Sequence, residues 1–266
     1  MMKNSKQTAL ITGASEGIGA ELATCFAKGG FDLILVARSA GKLHALAADL
    51  SNTYGIKVLC IPCDLTVRTA AADLLAKVKA EKVSVDVLVN CAGVLEHGNF
   101  LTMPLERKQG MIDLNLSALT AMLSHFVPPM VERGFGRVLN VASIAAFQPV
   151  PTLAVYAATK AYVLSLTESL AVELNGTGVS VTALCPGVTA TNMMAKAQDG
   201  SPGLTIPAAL VGDATQVAEQ GYHSCLRGDV IVVPGAVNLA TTLVSRATPK
   251  WLLRKIGGAM SRKVLK

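Results

Sequence analysis

The sequence has little charge, few aromatic residues and few cysteines, and each shortage excludes a class of protein. Of its 266 residues, 16% are charged and 4% are aromatic, whereas 51% are hydrophobic. This apolar content is too high for a disordered chain, and the composition matches neither a collagen-like nor a coiled-coil protein. The six cysteines are too sparse for a disulfide framework. The composition therefore predicts a chain that folds around a full hydrophobic core.

The cysteines also offer little for a metal or redox centre. Cys60 and Cys63 form a C-x-x-C pair, but neither a second pair nor an H-x₃-H motif follows. Most of the cysteines lie in apolar runs, where a free thiol packs as a small hydrophobic group. We therefore predict no metal site and a reducing, cytoplasmic environment.

Long hydrophobic runs are missing as well. No signal-peptide pattern precedes the first apolar run, and the longest uncharged stretch near the C-terminus spans only 230–245. That stretch is shorter than the roughly 20 residues with which a helix crosses a bilayer. We expect a cytoplasmic protein, with the C-terminal tail as the one segment suited to the surface of a membrane.

Acidic residues stop at Asp229, which makes the charge distribution uneven. Residues 1–229 carry 17 basic and 18 acidic side chains, whereas residues 230–266 carry 7 basic and no acidic ones. The net charge of +6 therefore belongs to the C-terminal segment, and the body is close to neutral. A nucleic-acid enzyme would carry its positive charge around the working face. We expect no nucleic-acid partner.

The end of the tail has the pattern of a basic amphipathic helix. Leu252, Ile256, Met260 and Val264 recur every four residues, and six basic residues occupy other positions between 250 and 266. Two interpretations stay open. The apolar stripe covers the protein's own body or a partner subunit, or it makes a peripheral contact with an anionic membrane.

Short apolar runs alternate with longer helical patterns along the chain. Continuously apolar strands belong to a sheet covered on both faces, and their alternation with helices indicates parallel β-α-β units. The predicted strands cover about 8–12, 31–37, 56–63, 85–90, 136–142, 179–185 and 229–233, and the predicted helices about 17–29, 40–53, 67–82, 104–127, 154–175 and 207–226. The pattern predicts an α/β fold, with a single doubly wound Rossmann-type domain over 1–266 built on a parallel seven-stranded sheet. We expect a substrate loop at about 187–206 and a C-terminal helical extension at about 236–266.

A glycine-rich turn, Thr12-Gly13-Ala14-Ser15-Glu16-Gly17-Ile18-Gly19, joins the first strand to the first helix. Glycines let the backbone turn sharply and approach a pyrophosphate, and the N–H groups at the start of a helix favour its negative charge. We predict that this turn binds a dinucleotide; a structural turn without a ligand is the alternative. The candidate cofactor-binding residues here are Gly13, Ser15, Glu16, Gly17, Ile18 and Gly19.

The second strand ends at Arg38 where an NAD-binding site would place an acid. A carboxylate there would bond the ribose 2′-hydroxyl, whereas a guanidinium matches a 2′-phosphate in charge and geometry. We therefore predict NADP(H) as the cofactor, with Arg38, Ser39 and Lys42 at the phosphate. The negative charge of Glu16 weakens this preference without reversing it, and a solvated surface role is the alternative for Arg38.

A Tyr-x-x-x-Lys pair, Tyr156 and Lys160, has the spacing that places both side chains on one face of a helix. A lysine ammonium favours the phenolate, so we expect it to lower the pKa of Tyr156 from about 10 towards the working range. Tyr156 could then exchange a proton with a carbonyl oxygen as hydride is transferred. Ser143, at the end of the fifth predicted strand, could hydrogen-bond the same oxygen. These residues predict an oxidoreductase that acts on C=O and CH–OH groups.

With these motifs in order, the chain resembles the short-chain dehydrogenase/reductase family over nearly its whole length. The resemblance covers 12–19, Asp64-Leu65, Asn90-Cys91-Ala92-Gly93, Asn115, Ser143, Tyr156 with Lys160, and Pro186-Gly187-Val188 through Thr191. Cys91 departs from the pattern, because relatives usually carry a second Asn there. A weaker likeness links the chain to bacterial ketoacyl-reductase-like and hydroxysteroid-dehydrogenase-like members.

The resemblance implies roles for residues that spacing alone does not explain. Asp64 and Leu65 would flank the adenine, and Asn90, Ala92 and Gly93 would line the cofactor. Asn115 would hold a water in a proton relay with Lys160, which would also bond the nicotinamide ribose. Pro186, Gly187, Val188 and Thr191 would fix the nicotinamide carboxamide. Pairing through the helices that carry Asn115 and Tyr156 would give a homodimer or homotetramer.

The segments 94–100, 144–151 and 189–206, which would contact substrate, are mostly apolar. We predict a small apolar carbonyl substrate, with Ser143, Leu95, Phe147 and Met193 as contacts; the alternative is that the apolar residues only cover the sheet. The predicted function is an NADPH-dependent carbonyl reductase with Tyr156 as general acid. Two alternatives stay open: a 3-oxoacyl-thioester reductase acting on an acyl-carrier-protein or CoA substrate, and a non-catalytic NADP(H)-binding redox sensor.

Overall fold

The structure is a computed structural model, and it describes residues 6–189, 211–249 and 251–255. Parallel strands form one sheet that runs through the whole molecule. The strands are β1 (Thr8–Thr12), β2 (Asp32–Ala37), β3 (Val58–Pro62), β4 (Val87–Asn90), β5 (Gly136–Val141), β6 (Val179–Leu184) and β7 (Ile231–Val232). In the described part of the chain these seven strands lie in the order β3-β2-β1-β4-β5-β6-β7. This order reverses direction at β1, and it confirms the doubly wound Rossmann-type fold.

Helices cover both faces of the sheet. They are α1 (Gly17–Lys28), α2 (Ala40–Tyr54), α3 (Ala70–Ala80), α4 (Leu105–Ile112), α5 (Leu119–Arg133), α6 (Ala154–Glu173), α7 (Ala214–Arg227) and α8 (Ala236–Ala247). A π-helical turn (Asp113–Ala118) joins α4 to α5, and a short 3₁₀ helix (Ile144–Phe147) follows β5. A further helical turn spans 251–255.

Two hydrophobic layers, one on each face of the sheet, hold the helices in place. Leu22 and Phe26 of α1 pack on one face together with the side chains of α2 and α7. Leu74 of α3, Phe126 of α5 and Val163 of α6 pack on the other face. Strands buried on both sides explain why the apolar runs in the sequence are continuous rather than alternating.

The helix after α4 continues past the expected end near residue 127. Pro128 and Pro129 lie inside α5, which ends at Arg133 with Gly134 in the left-handed conformation (φ 68°). Pro128 is on the exposed side of the helix, while Met130 stays buried in the core. The core packing therefore outweighs the two prolines.

Within the described residues, one helical stretch, Leu105–Arg133, is long and apolar enough to cross a membrane by length and composition. Its apolar side chains, among them Met122 and Phe126, pack in the core against the sheet. Core helices of many globular proteins have the same length and composition, and the packing assigns this stretch to the core.

Smaller differences concern the ends of elements. The strand expected at 229–233 is reduced to Ile231–Val232, and the helix expected at 67–82 covers only Ala70–Ala80. The helix expected at 207–226 begins at Ala214, because the side chain of Asp213 accepts a hydrogen bond from the amide of Thr215 and caps the helix there. The α8 helix and the turn at 251–255 supply the expected extension; residues 256–266 lie outside the described residues.

Candidate active site

A cavity of about 540 Å³ lies at the carboxyl ends of the strands, lined by the segments that directly follow β1 to β6. In doubly wound sheets this edge, at the point where the strand order reverses, is where ligands bind. Every predicted cofactor-binding residue in the described part of the chain lines it, except Asn90. Ser143, Tyr156, Lys160 and Leu95 line the same cavity. Thr191 and Met193 lie outside the described residues.

Two glycines of the glycine-rich turn, Gly13 and Gly19, have no room for a side chain. Gly13 has a φ of +68°, and a Cβ at this position would lie 2.8 Å from both Cα and N of Ala92. A Cβ at Gly19 would overlap the carbonyl oxygen of Gly13. Gly13 and Gly19 therefore let the turn pack closely on the loop after β4 and on itself, and the turn lines the cavity at the start of α1, the position at which a helix N-terminus binds a pyrophosphate. The residues present fit the phosphates of a dinucleotide.

Thr12 ties this turn to the end of β4. Its Oγ1 accepts hydrogen bonds from the amides of Cys91 (3.0 Å) and Ala92 (3.1 Å) and donates one to the carbonyl oxygen of Val89 (3.2 Å). The hydroxyl thus holds two cavity-lining loops in register. This role escaped the sequence analysis, which used Thr12 only as part of the motif.

The predicted 2′-phosphate site carries an ion pair. Arg38 and Ser39 are exposed at the end of β2, and Nζ of Lys42 lies 2.6 Å from Oε2 of Glu16. The positive charge of Arg38 contributes to lowering the pKa of Asp64, after the stronger effect of hydrogen bonds from Thr66. The Glu16 carboxylate therefore compensates the charge of Lys42, while the opposite charges of Arg38 and Asp64 attract each other.

The pKa of Tyr156 differs from the sequence-based prediction. Burial raises it to about 12, and a hydrogen bond with the Ser143 side chain opposes this rise only in part. The prediction that Lys160 lowers the pKa of Tyr156 is wrong for this structure. Spacing puts the two residues on one helix face, but Nζ of Lys160 donates to the carbonyl oxygen of Val141 (2.8 Å) and lies 5.8 Å from the centre of the tyrosine ring.

The pKa of Lys160 is also shifted by its surroundings. It is buried, and the loss of solvation lowers its pKa to about 8, against a weaker opposing effect of Cys91 and Cys185. A lysine in this state loses its charge more readily than an exposed one. The pair thus combines a protonated phenol with an amine that titrates near neutral pH.

Asn115 lies beneath the cavity rather than in its lining. Its Oδ1 accepts from the amide of Val94, and its Nδ2 donates to the carbonyl oxygen of Val94 and to Oγ1 of Thr159. Both amide hydrogens are therefore used. The π-helical turn that carries Asn115 widens the helix here, a feature often found at functional sites. The water relay implied by the family resemblance stays a prediction.

Asn90 forms part of a buried polar chain instead of the cavity wall. Its Nδ2 donates to Oδ1 of Asn140 (2.9 Å), and Nδ2 of Asn140 donates to Oγ1 of Thr167 (3.0 Å). The chain links β4, β5 and α6. Asn90 therefore supports the strand end from which Ala92 and Gly93 reach the cavity.

The apolar part of the lining comes from Val94, Leu95, Ile144, Val150, Leu153 and Val188. Phe147, predicted to touch substrate, does not line the cavity. Its ring packs against the core and lies under the guanidinium of Arg246, 5.7 Å from ring centre to charge. His97, on the loop after β4, is buried, and neither ring nitrogen has a hydrogen-bond partner among the described residues.

Helix α8 contributes to the same region, although its sequence gave no sign of this. Oγ of Ser245 donates to Oε1 of Gln148 (2.9 Å), and Gln148 lines the cavity. Asn238 packs on the loop after β6 so closely that a Cβ at Gly187 would lie 2.5 Å from its Nδ2. The described residues contain no group of three or more side chains suited to a metal ion.

Known proteins share both the sequence pattern and the architecture. The family profile described as short chain dehydrogenase matches residues 7–202. An uncharacterized oxidoreductase of Myxococcus xanthus is 38% identical over 197 residues, which cover 72% of this chain and 78% of the relative. A short-chain dehydrogenase from Sphingobium yanoikuyae, solved in complex with NADPH, is 33% identical with a TM-score of 0.80, covering 91% of this chain and 93% of that one. The bulky-bulky ketone specific alcohol dehydrogenase from Comamonas testosteroni is 28% identical with a TM-score of 0.78, covering 96% and 94%.

Proposed function

The chain belongs to the short-chain dehydrogenase family and is an oxidoreductase, and on this premise we propose that it is an NADPH-dependent reductase of apolar ketones. One observation carries the proposal. The glycine-rich turn, Arg38 and the group of Ser143, Tyr156 and Lys160 all line a single cavity. A cofactor held by the first two therefore shares a space with a proton donor.

NADP(H) fits the charges of this cavity. A 2′-phosphate at the end of β2 would meet the guanidinium of Arg38, and Lys42 stands one helical turn further on, paired with Glu16. The relative from Sphingobium yanoikuyae binds NADPH. The glycine turn would hold the pyrophosphate, and Asp64 and Leu65 the adenine. When bound, the cofactor supplies the hydride.

The chain's own residues supply the proton. With a pKa of about 12, Tyr156 keeps its proton at neutral pH and can donate it as the carbonyl oxygen gains negative charge. Ser143, bonded to Tyr156, orients the same oxygen. Lys160, which is positively charged below its pKa of about 8, lines the same cavity, but its Nζ is held by the carbonyl oxygen of Val141 rather than by Tyr156.

The substrate end of the lining favours an apolar ketone. Glu16, Arg38, Lys42 and Asp64 line the end of the cavity proposed for the cofactor. Among the described residues, this leaves Lys160 as the one charged side chain at the substrate end. A relative that acts on bulky ketones has the same fold over nearly the full length of both chains. A 3-oxoacyl thioester would present the same ketone group, so substrate profiling distinguishes the two.

The decisive experiment combines a substrate panel with one hydroxyl deletion. NADPH oxidation is measured with bulky ketones, diketones, steroids and 3-oxoacyl thioesters, with NADH in parallel. Tyr156→Phe should lower turnover by about a thousandfold and leave NADPH affinity unchanged. The matched control is Tyr162→Phe on the same helix, because the Tyr162 hydroxyl is exposed and bonds Thr120 outside the cavity.

Two results would contradict the proposal. Turnover that survives in Tyr156→Phe would remove the tyrosine from the chemistry. A wild-type protein that binds NADPH tightly but reduces nothing on the panel would favour the redox sensor.

We also propose that the protein forms a homodimer or homotetramer through the helices that carry Asn115 and Tyr156. Leu105 on α4 and Val172 on α6 are large apolar side chains that remain well exposed in the single chain. Light scattering measures the mass directly, and a monomer at working concentration would contradict this proposal. The cytoplasmic localisation stays a prediction.

A further inference from the structure

Helix α8 directs its polar residues inward. Asn238, Thr242 and Ser245 recur at the spacing of one helix face, and Thr242 and Ser245 are buried. Ser245 bonds Gln148, Asn238 bonds the carbonyl oxygen of Pro234, and Thr242 bonds the carbonyl oxygen of Asn238. This face is the one that packs on the body of the protein.

The opposite side of the same helix is apolar and exposed. Val237, Leu239, Leu243 and Val244 are 67%, 45%, 57% and 65% exposed, and Ala240 between them is exposed as well. A surface helix of a globular protein normally has the reverse arrangement, with its apolar stripe on the core. Trp251, in the helical turn that follows, is 55% exposed. The C-terminal segment therefore presents exposed apolar side chains on α8 and at Trp251 that the rest of the described chain does not cover.

Basic side chains accompany the apolar ones along the C-terminal segment. Arg254 and Lys255 are exposed beside Trp251, and the ammonium of Lys255 lies 5.6 Å from the centre of the tryptophan ring. Arg246 forms an ion pair with Glu168 of the body. Residues 230–266 contain 7 basic and no acidic side chains. An occupant of the surface has to be apolar at its centre and negatively charged around it.

These two requirements separate the candidate occupants. A second copy of the chain, docked through the same face, would bring two segments of charge +7 together without any acidic partner within them. An anionic bilayer offers acyl chains to the apolar side chains and phosphate groups to the basic ones, and tryptophan favours the boundary between them. We propose that α8 and the turn at 251–255 form a membrane-binding surface that lies flat on an anionic bilayer. This proposal does not depend on the proposed reductase activity.

The test uses the full chain and vesicles without any substrate. Vesicles of phosphatidylcholine alone and of phosphatidylcholine with phosphatidylglycerol are sedimented with the protein at low and high salt. Leu243→Ser combined with Val244→Ser removes two exposed apolar side chains of α8 that touch nothing in the cavity. The matched control is Val67→Ser with Leu101→Ser, which removes one valine and one leucine that are 55% and 87% exposed elsewhere on the protein. A third variant, Arg254→Gln with Lys255→Gln, removes charge alone.

We expect the wild type to bind the anionic vesicles, with weaker binding at high salt. The α8 variant should bind at least about tenfold more weakly, and the control should bind as the wild type does. The charge variant should bind anionic vesicles about tenfold more weakly and lose most of the salt dependence. All substituted side chains are exposed, so thermal unfolding should stay near that of the wild type.

Three outcomes would overturn the proposal. The wild type could fail to sediment with either vesicle, or the control could lose as much binding as the α8 variant. Alternatively, the α8 variant could halve the particle mass in light scattering while the wild type ignores vesicles. That last result would assign the surface to contact between copies of the chain. None of these outcomes bears on NADPH oxidation, so the reductase proposal is tested separately.

Discussion

The side chain of Asn115 and the backbone of Val94 exchange two hydrogen bonds, each 2.9 Å long. Oδ1 accepts from the amide of Val94, and Nδ2 donates to its carbonyl oxygen. The second hydrogen on Nδ2 reaches Oγ1 of Thr159 on α6. One buried amide thus fixes the first residue of the apolar cavity wall to the helix that carries Tyr156 and Lys160.

Replacing Asn115 by leucine tests this positioning role. Asn115→Leu leaves both backbone groups of the half-buried Val94 without their present partners, which costs about 2 kcal/mol of the free energy of unfolding. Turnover should fall as well, because the Val94 loop loses its anchor. Urea unfolding and NADPH oxidation measure the two effects. Thr159→Ala is the control: it removes one partner of Asn115 but keeps the contact with Val94, and should cost about 1 kcal/mol. Equal stability of Asn115→Leu and wild type would refute the argument.

Because the charge of Lys160 is buried, we predict that replacing this residue lowers activity and raises stability. Its pKa is lowered from 10.5 to about 8 in the folded chain, so the unfolded chain binds more protons between these values and stability rises with pH there. Lys160→Met removes this penalty and also the bond to Val141. At pH 7 the variant should be more stable than the wild type by about 2 kcal/mol.

The pH dependence makes this prediction specific. The advantage of Lys160→Met should shrink as the pH rises from about 8 and should be absent above 10.5, while its activity is lost at every pH. Urea unfolding across this pH range measures it, with the exposed Lys79→Met as control. A variant that is less stable than the wild type at pH 7 would show that burial of the ammonium carries no penalty.

Cofactor choice should depend on three side chains with opposing effects. Arg38→Ala should weaken NADPH binding by about tenfold to a hundredfold, because it removes a charged hydrogen-bond donor from the 2′-phosphate, and NADH binding should change little. Glu16→Gln should raise the preference for NADPH by about threefold, since it frees the charge of Lys42 from its 2.6 Å ion pair. Fluorescence titration of both cofactors measures these affinities, with Arg68→Ala as an exposed arginine outside the cavity lining. A parallel loss of NADPH and NADH affinity in Arg38→Ala would count against a 2′-phosphate contact.

The bond between Ser245 and Gln148 should affect the substrate and not the cofactor. Gln148→Ala should raise the KM for ketones, and Ser245→Ala should raise it in the same direction by about fivefold, because the glutamine amide is no longer oriented. NADPH affinity should stay constant in both. Steady-state kinetics measure the split, with Thr241→Ala as control, since that hydroxyl bonds only within α8. A change in NADPH affinity, with no change in the KM for ketones, would place Gln148 at the cofactor end of the cavity and contradict this prediction.

Most of the fold follows from short-range patterns in the sequence. Continuously apolar runs mark the buried strands, and the glycine turn at 12–19 marks the first crossover. The ends of elements are harder to predict, because they depend on contacts distant in sequence. Pro128 and Pro129 favour the end of a helix locally, yet Met130 is buried in the core and α5 continues.

The candidate site likewise contains residues that local sequence motifs predict and residues whose positions depend on packing. Residues carried by local motifs, from Gly13 to Val188, reach the cavity as predicted, apart from Asn90 and Asn115. The direction of a side chain is not encoded in spacing: Lys160 shares a face with Tyr156 but turns to Val141. Phe147 and Gln148 are neighbours in sequence, and the packing of α8 decides that only the second lines the cavity. The inverted polarity of α8 becomes visible only when its packed face is known.

Thr12 connects the junction of β1 and β4, at the centre of the sheet, to the ligand site. Its hydroxyl bonds residues 79 and 80 positions further along the chain, across the junction of β1 and β4. A nucleotide bound in the cavity would contact loops from both halves of the sheet, because the segments after β1 and β4 both line it. Saturating cofactor should therefore raise the midpoint of thermal unfolding of the whole domain rather than of one half, and a cell short of the nucleotide would hold more of this protein in a form open to proteolysis.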